Sequence, residues 1–240
     1  MTLVIAHRGA SAYAPENTLP AFELAARQGA DMIELDVQRS ADGVLVVFHD
    51  DTTERWDGMP RAVSDCTLAE LRALNIGGGK VAMLAEACVF AREHSMRLNV
   101  ELKAAGFGAQ VMRMLREERI EELVLISSFE EQALTEMAAA NPGLLRAYLV
   151  ETETYDKAVR ARDDWPFGAL RRTGSVAWHP ASDLPLLTWL IPRVRSAGFQ
   201  VNVWTVDDPE LMRKLLKLEV DGIITNTPDV LRKMLEGSRV

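Results

Sequence analysis

Short apolar runs and helical patterns take turns along the whole chain, and that alternation restricts the fold more than any other feature. "LVIA" (3–6) precedes "LPAFELAARQG" (19–29), and "ADMIELDVQ" (30–38) is followed by "GVLVVFHD" (43–50). Later, "RLNVELK" (97–103), "LVLISS" (123–128), "LLRAYLV" (144–150), "SVAWHP" (175–180), "FQVNVWTV" (199–206) and "VDGIIT" (220–225) read as strands, with helical patterns between them. Strands that alternate with helices join by right-handed crossovers into a parallel sheet. About eight such units in a chain of 240 residues predict an α/β fold, a closed (β/α)₈ TIM barrel. An open doubly wound sheet is the alternative. It requires a glycine-rich phosphate loop between a strand and a helix, and "GGG" (77–79) lacks that setting. Residues 50–80 are irregular with a short helix and predict a small insertion on the rim, after the strand ending at His49. No linker or low-complexity segment divides the chain, so residues 1–240 read as a single domain.

The net charge of −8 argues against nucleic acid as a partner. Cys66 and Cys88 have no metal-type spacing and predict a reducing, cytoplasmic setting. "MTLVIAHRGA" lacks the basic region and long apolar run of a secretory leader, and no stretch reaches the roughly 20 apolar residues of a membrane span. Oligomeric state is left open.

Catalytic groups of a barrel come from the C-terminal ends of its strands. The first strand ends at His7-Arg8, inside "AHRGASAYAPENT". Alternation puts Glu34 and Asp36 on one face of the second, with Ile33, Leu35 and Val37 on the other. "VLVVFHD" ends at His49-Asp50; "LNVELK" puts Asn99, Glu101 and Lys103 on one face; "VNVWT" puts Asn202 and Trp204 together. Three carboxylates brought close cannot all remain ionised without positive charge. Glu34, Asp36 and Glu101 are hard oxygen donors suited to a divalent cation, Mg²⁺ or Ca²⁺, and no cysteine or histidine cluster suggests zinc. Arg8 offers a planar fork and Lys103 a point charge for an anion such as phosphate. Two histidines in the same mouth suit general acid and base roles near neutral pH. Together these groups read as phosphate-ester cleavage. Gly9 is expected to let the backbone approach the anion.

"HRG" with "PENT", then "ELDV", "HD", "NVELK", "WTV" and "DGIITN-P", occur in order from residue 6 to about 229, and the chain resembles the glycerophosphodiester phosphodiesterase family over nearly its whole length. The resemblance implies a (β/α)₈ barrel with a small insertion after the strand carrying the second histidine. It implies metal-dependent hydrolysis of a small-molecule glycerophosphodiester to sn-glycerol 3-phosphate and an alcohol, in glycerol and phospholipid metabolism. His7 and His49 would be the acid/base pair, and Glu34, Asp36 and Glu101 the metal ligands. Arg8 and Lys103 would contact phosphate, Trp204 would wall the glycerol carbons, and Glu16 and Asn17 would support the site. Attack by a glycerol hydroxyl through a cyclic phosphate and attack by water are both open. A related phosphodiesterase on lysophospholipids and a non-catalytic binding barrel are the rival readings.

Two positions depart from the family pattern. Asn226 stands where the family often has aspartate, and "VAMLAEA" (81–87) replaces a more regular helix opening around Glu86. His94, at a helix end, reads as a cap residue, and His179 as a structural histidine.

Overall fold

The computed structural model describes residues 2–153 and 164–237. Its sheet is built from β1 (Leu3–His7), β2 (Met32–Arg39), β3 (Leu45–Val47), β4 (Ala82–Met83), β5 (Arg97–Leu102), β6 (Val124–Ser128), β7 (Leu145–Val150), β8 (Ala177–Pro180), β9 (Gln200–Val203) and β10 (Gly222–Thr225). Eight of these are parallel neighbours in the order β1-β10-β9-β8-β7-β6-β5-β2, and β1 pairs with β2 to close the ring. The alternation therefore did predict the barrel.

The run at 43–50 is corrected. β3 is not a barrel strand: it pairs antiparallel with the far end of β2, Val37 opposite Val47, and β4 pairs antiparallel with it in turn. A brief apolar run has the same pattern whichever way its backbone pairs. His49 thus lies two residues past a strand end, outside the ring, and the insertion spans about 40–83 rather than 50–80. It holds the helices α2 (Glu54–Asp57) and α3 (Leu68–Ala73) and its own apolar cluster of Val46, Phe48, Val63, Cys66, Leu71, Leu74, Ile76 and Val81. The start of α3 is fixed by reciprocal bonds between Thr67 and Glu70.

The outer layer comprises α1 (Leu19–Arg27), α4 (Leu84–His94), α5 (Gly108–Glu118), α6 (Glu131–Ala140), α7 (Phe167–Thr173), α8 (Leu187–Ser196), α9 (Pro209–Lys217) and α10 (Pro228–Gly237). Local sequence sets their limits: Asp208 caps α9 by accepting from the amides of Glu210 and Leu211, with Pro209 opening the helix. Odd-numbered β2 residues Ile33, Leu35 and Val37 join Phe22, Leu98, Val100, Trp178 and Val201 in the main core between sheet and helices. The even-numbered residues of β2 point into the barrel. Ile5, Met32 and Ile224 fill its lower interior, and Glu34 and Asp36 follow above Met32 toward the C-terminal mouth.

Trp178 is fully buried in the strand–helix core, with Trp165 set edge-on at 6.0 Å. Trp178→Ala is expected to lower the unfolding free energy by about 3–5 kcal/mol, read as a reduced urea midpoint.

Candidate active site

β1 delivers His7 at its last position and the chain then turns sharply. Arg8 adopts a left-handed conformation (φ 55°), and its backbone amide donates to Glu34 Oε2 at 3.0 Å. Gly9 follows at φ 85°, where an added Cβ would lie 2.7 Å from the backbone of Ala21. Gly9 is thus required by its packing against α1, a different reason from the anion approach expected of it.

The registers explain how the carboxylates meet. His7 pairs with Glu34, Glu34 with Asn99, and Asp36 with Glu101, so side chains of three adjacent strands enter one mouth. Glu34, Asp36 and Glu101 are 4 %, 1 % and 8 % exposed. One oxygen of each lies within 4.8 Å of the others, a donor set that could hold a metal ion. Buried hard oxygens so close fit a divalent cation.

The charge balance is uneven. Burial tends to raise the Asp36 carboxyl, but Arg8 and then Lys103 overcome it and hold the group below its ordinary value. Arg8 Nε lies 3.2 Å from Asp36 Oδ2, and Lys103 Nζ lies 3.6 Å from Asp36 Oδ1. Glu101, 3.0 Å from Lys103 Nζ, is pushed up to about 7 by burial and by the neighbouring Asp36. Burial, Asp36 and Glu101 together raise Glu34 well above the usual carboxylate range. Two cations therefore do not neutralise three buried acids, and a divalent ion would.

His7 Nε2 is 4.0 Å from Glu34 Oε2, and its Nδ1 is 2.7 Å from Asn226 Oδ1. Burial and then the Arg8 charge lower its pKa to about 4, so the ring is neutral at physiological pH. His49 Nδ1 meets Asp50 Oδ1 at 2.8 Å. Its loop is anchored by Gln38, whose Nε2 donates to the carbonyls of Phe48, His49 and Asp50. Asn17, also left-handed (φ 58°), donates from Nδ2 to Asp36 Oδ2 at 2.8 Å and accepts from the Asp36 amide. Glu16 bridges Arg8 and Arg55 of α2, tying the insertion to the site.

His7, Arg8, Glu34, His49, Glu101, Lys103 and Trp204 all line one cavity of about 360 Å³. Asp36, Glu16 and Asn17 stand behind that wall and act on it through their bonds. Trp204 lies just past the end of β9, with its indole nitrogen bonded to the His179 carbonyl and Phe129 edge-on at 5.6 Å. Phe129, Leu149, Glu130, Glu151 and Asp51 complete the outer wall and were not foreseen. All but Asp51 follow or end β6 and β7, where sequence alternation flagged no polar face.

Other residues are placed outside the site. Glu86 accepts from Arg72 at 2.6 and 2.7 Å and from the Met83 amide, which makes it a helix-start anchor. His94 bonds the Phe90 carbonyl at the end of α4. His179 is fully buried in the barrel, where burial lowers its pKa to about 3, and Asn202 Nδ2 sits 2.8 Å from its Nε2.

The model of the glycerophosphoryl diester phosphodiesterase family matches residues 7–230. The chain belongs to that family. It is 33 % identical over 243 residues to a glycerophosphodiester phosphodiesterase of Caldanaerobacter subterraneus subsp. tengcongensis, covering 96 % of each sequence. Among solved structures, an Oleispira antarctica phosphodiesterase in complex with sn-glycerol-3-phosphate superposes with a TM-score of 0.86 at 28 % identity, covering 97 % of this chain and 96 % of that one. A Thermotoga maritima glycerophosphodiester phosphodiesterase gives 0.81 at 28 % identity, covering 98 % and 99 %. Among the described residues no helix is long and apolar enough to cross a membrane.

The triad links cation binding to pH. Glu101 is raised from 4.5 to about 7, so the stability it lends the metal-free protein is complete below 4.5 and is lost as pH rises through 7. A bound divalent ion opposes that loss, because it favours the ionised form. The increase in melting temperature caused by Mg²⁺ is therefore expected to be small near the lower value and to grow above the upper one. An equal shift at both pH values would exclude the triad as the cation site.

Proposed function

We propose that this chain hydrolyses glycerophosphodiesters to sn-glycerol 3-phosphate and an alcohol, with Mg²⁺ or Ca²⁺ held by Glu34, Asp36 and Glu101. The observation that carries the reading is one cavity lined by a buried carboxylate cluster, two cations and two histidines. Family membership and the product-bound Oleispira antarctica relative support it.

Glu34, Asp36 and Glu101 would hold the divalent cation, which would supply positive charge to the phosphate and lower the barrier to attack at phosphorus. Arg8 and Lys103, which balance Asp36 in the metal-free site, would then be available to the phosphate, Arg8 through its planar fork and Lys103 as a point charge. His7 is the base: its neutral ring accepts a proton at Nε2 from the attacking hydroxyl. His49 is the partner acid and returns a proton to the leaving alkoxide, its Nδ1 held by Asp50. The same base serves a glycerol hydroxyl or a water, and cyclic glycerophosphate in quenched reactions marks the first route. Trp204 and Phe129 form the apolar wall for the carbon chain of glycerol.

His7→Ala and His49→Ala are each expected to lower kcat by at least about 10²-fold on glycerophosphocholine while retaining the wild-type melting curve. EDTA is expected to stop turnover, and Mg²⁺ or Ca²⁺ to restore it. Full activity in either histidine variant would overturn the assignment, and activity in EDTA would remove the metal from it. A panel of glycerophosphoethanolamine, lysophospholipid and a phosphomonoester separates this reading from its relatives.

A further inference from the structure

We infer that Asp207 and Asn226 are positioning residues that decide which nitrogen of His7 carries the proton. The inference rests on the reading of His7 as the base, but its test has a readout independent of turnover.

Asp207 lies in the loop three residues past Trp204, and Asn226 directly follows β10. Neither lines the cavity, so each acts on the reaction through His7. The Asp207 carboxylate collects three donors. Its Oδ1 accepts from Thr225 Oγ1 at 2.8 Å and from the Asn226 backbone amide at 2.8 Å. Its Oδ2 accepts from Asn226 Nδ2 at 2.5 Å. A carboxylate can only accept, so the NH₂ end of the Asn226 amide must face Asp207. The oxygen end then faces His7, with Nδ1 at 2.7 Å.

The rest follows from the inventory of donors. An amide oxygen accepts and never donates. Ser11 Oγ lies 2.7 Å from that same oxygen and 2.7 Å from the His7 carbonyl, and its one hydrogen serves either acceptor, so the Asp207 contact is what sets the amide. His7 Nδ1 must therefore hold the hydrogen, and a neutral ring then presents Nε2 as a bare lone pair. That nitrogen lies on the side of Glu34 and the cavity. The chain Asp207–Asn226–His7 thus selects the one tautomer that can act as a base on a group in the mouth. It does so without setting a carboxylate against the ring, because the amide stands between the charge and the imidazole. This accounts for asparagine at 226: the negative charge sits one residue farther from His7, and the orienting hydrogen bond is kept.

The test uses the full chain labelled with ¹⁵N-histidine, at a pH where His7 is neutral, with His7→Gln to assign its signals. The wild type is expected to show a protonated Nδ1 and a bare Nε2. Asp207→Asn presents an NH₂ group to this network, so the Asn226 amide turns over and offers its own NH₂ to His7. The expected result is a shift of the proton to Nε2 and a fall in kcat of about 10–100-fold, with KM changed less than about threefold. The double variant Asp207→Asn, Asn226→Asp reverses the order of amide and carboxylate. It is expected to return the proton to Nδ1 and to recover most of kcat. A wild-type ring protonated on Nε2, or a tautomer unmoved by Asp207→Asn in a folded protein, would overturn the inference. A tautomer that moves while kcat does not would instead remove His7 from the role of base and leave the positioning intact.

Discussion

Three carboxylates share one buried mouth with two cations, and most of the local architecture answers that imbalance. Asp36 sits at the centre, held ionised by Arg8, Lys103 and Asn17. Glu34 and Glu101 are left on either side with raised pKa values, because burial and Asp36 both oppose their ionisation. A barrel tolerates such a cluster only at its C-terminal mouth, where loops can bring countercharge to it. Below that level the interior turns apolar, with Ile5, Met32 and Ile224. With three carboxylates against Arg8 and Lys103, the site is thus short of positive charge, and a divalent cation would supply it.

The loops are organised around the same point. The turn after β1 takes three left-handed residues, Arg8, Gly9 and Asn17, to fold "PENT" back under Asp36, and Asn17 N donates to the Arg8 carbonyl to close it. The insertion brings His49 in from outside the ring, with Gln38 fastening the loop to β2 and Glu16–Arg55 fastening α2 to the site. The loop after β9 and the end of β10 contribute Asp207 and Asn226 on the far side of His7. Each histidine is therefore oriented through Nδ1 by a different partner, an amide for His7 and a carboxylate for His49. That difference suits the proposed division of labour, with His7 as base and His49 as acid.

Much of this was legible from local pattern. Period-two alternation alone put Glu34 with Asp36 and Asn99 with Glu101, and the strand registers place those pairs side by side. His7, Arg8 and Lys103 were legible because each ends or follows a strand. The outer wall was not, because Phe129, Glu130 and Glu151 lie in the loops after β6 and β7, and nothing marks such loop residues as facing inward. Asp207 was missed for a similar reason: in "TVDDP" it reads as a helix start, and Asp208 is the residue that caps α9. The antiparallel course of β3 was hidden because three apolar residues carry no directional information.

The sequence by itself determined the class of fold and the chemical types gathered at its mouth. Alternating strand and helix periods leave few ways to bury every apolar face, and a polar residue within a strand is costly unless it serves a site. Tertiary structure decided which groups touch. The pairing of Asp36 with Arg8 and Lys103, the reach of the insertion, and the chain from Asp207 to His7 join residues up to about 220 positions apart. Hydrogen bonds and ion pairs depend on separations of a few ångströms. Those separations are set by strand register and loop path, which no local pattern encodes.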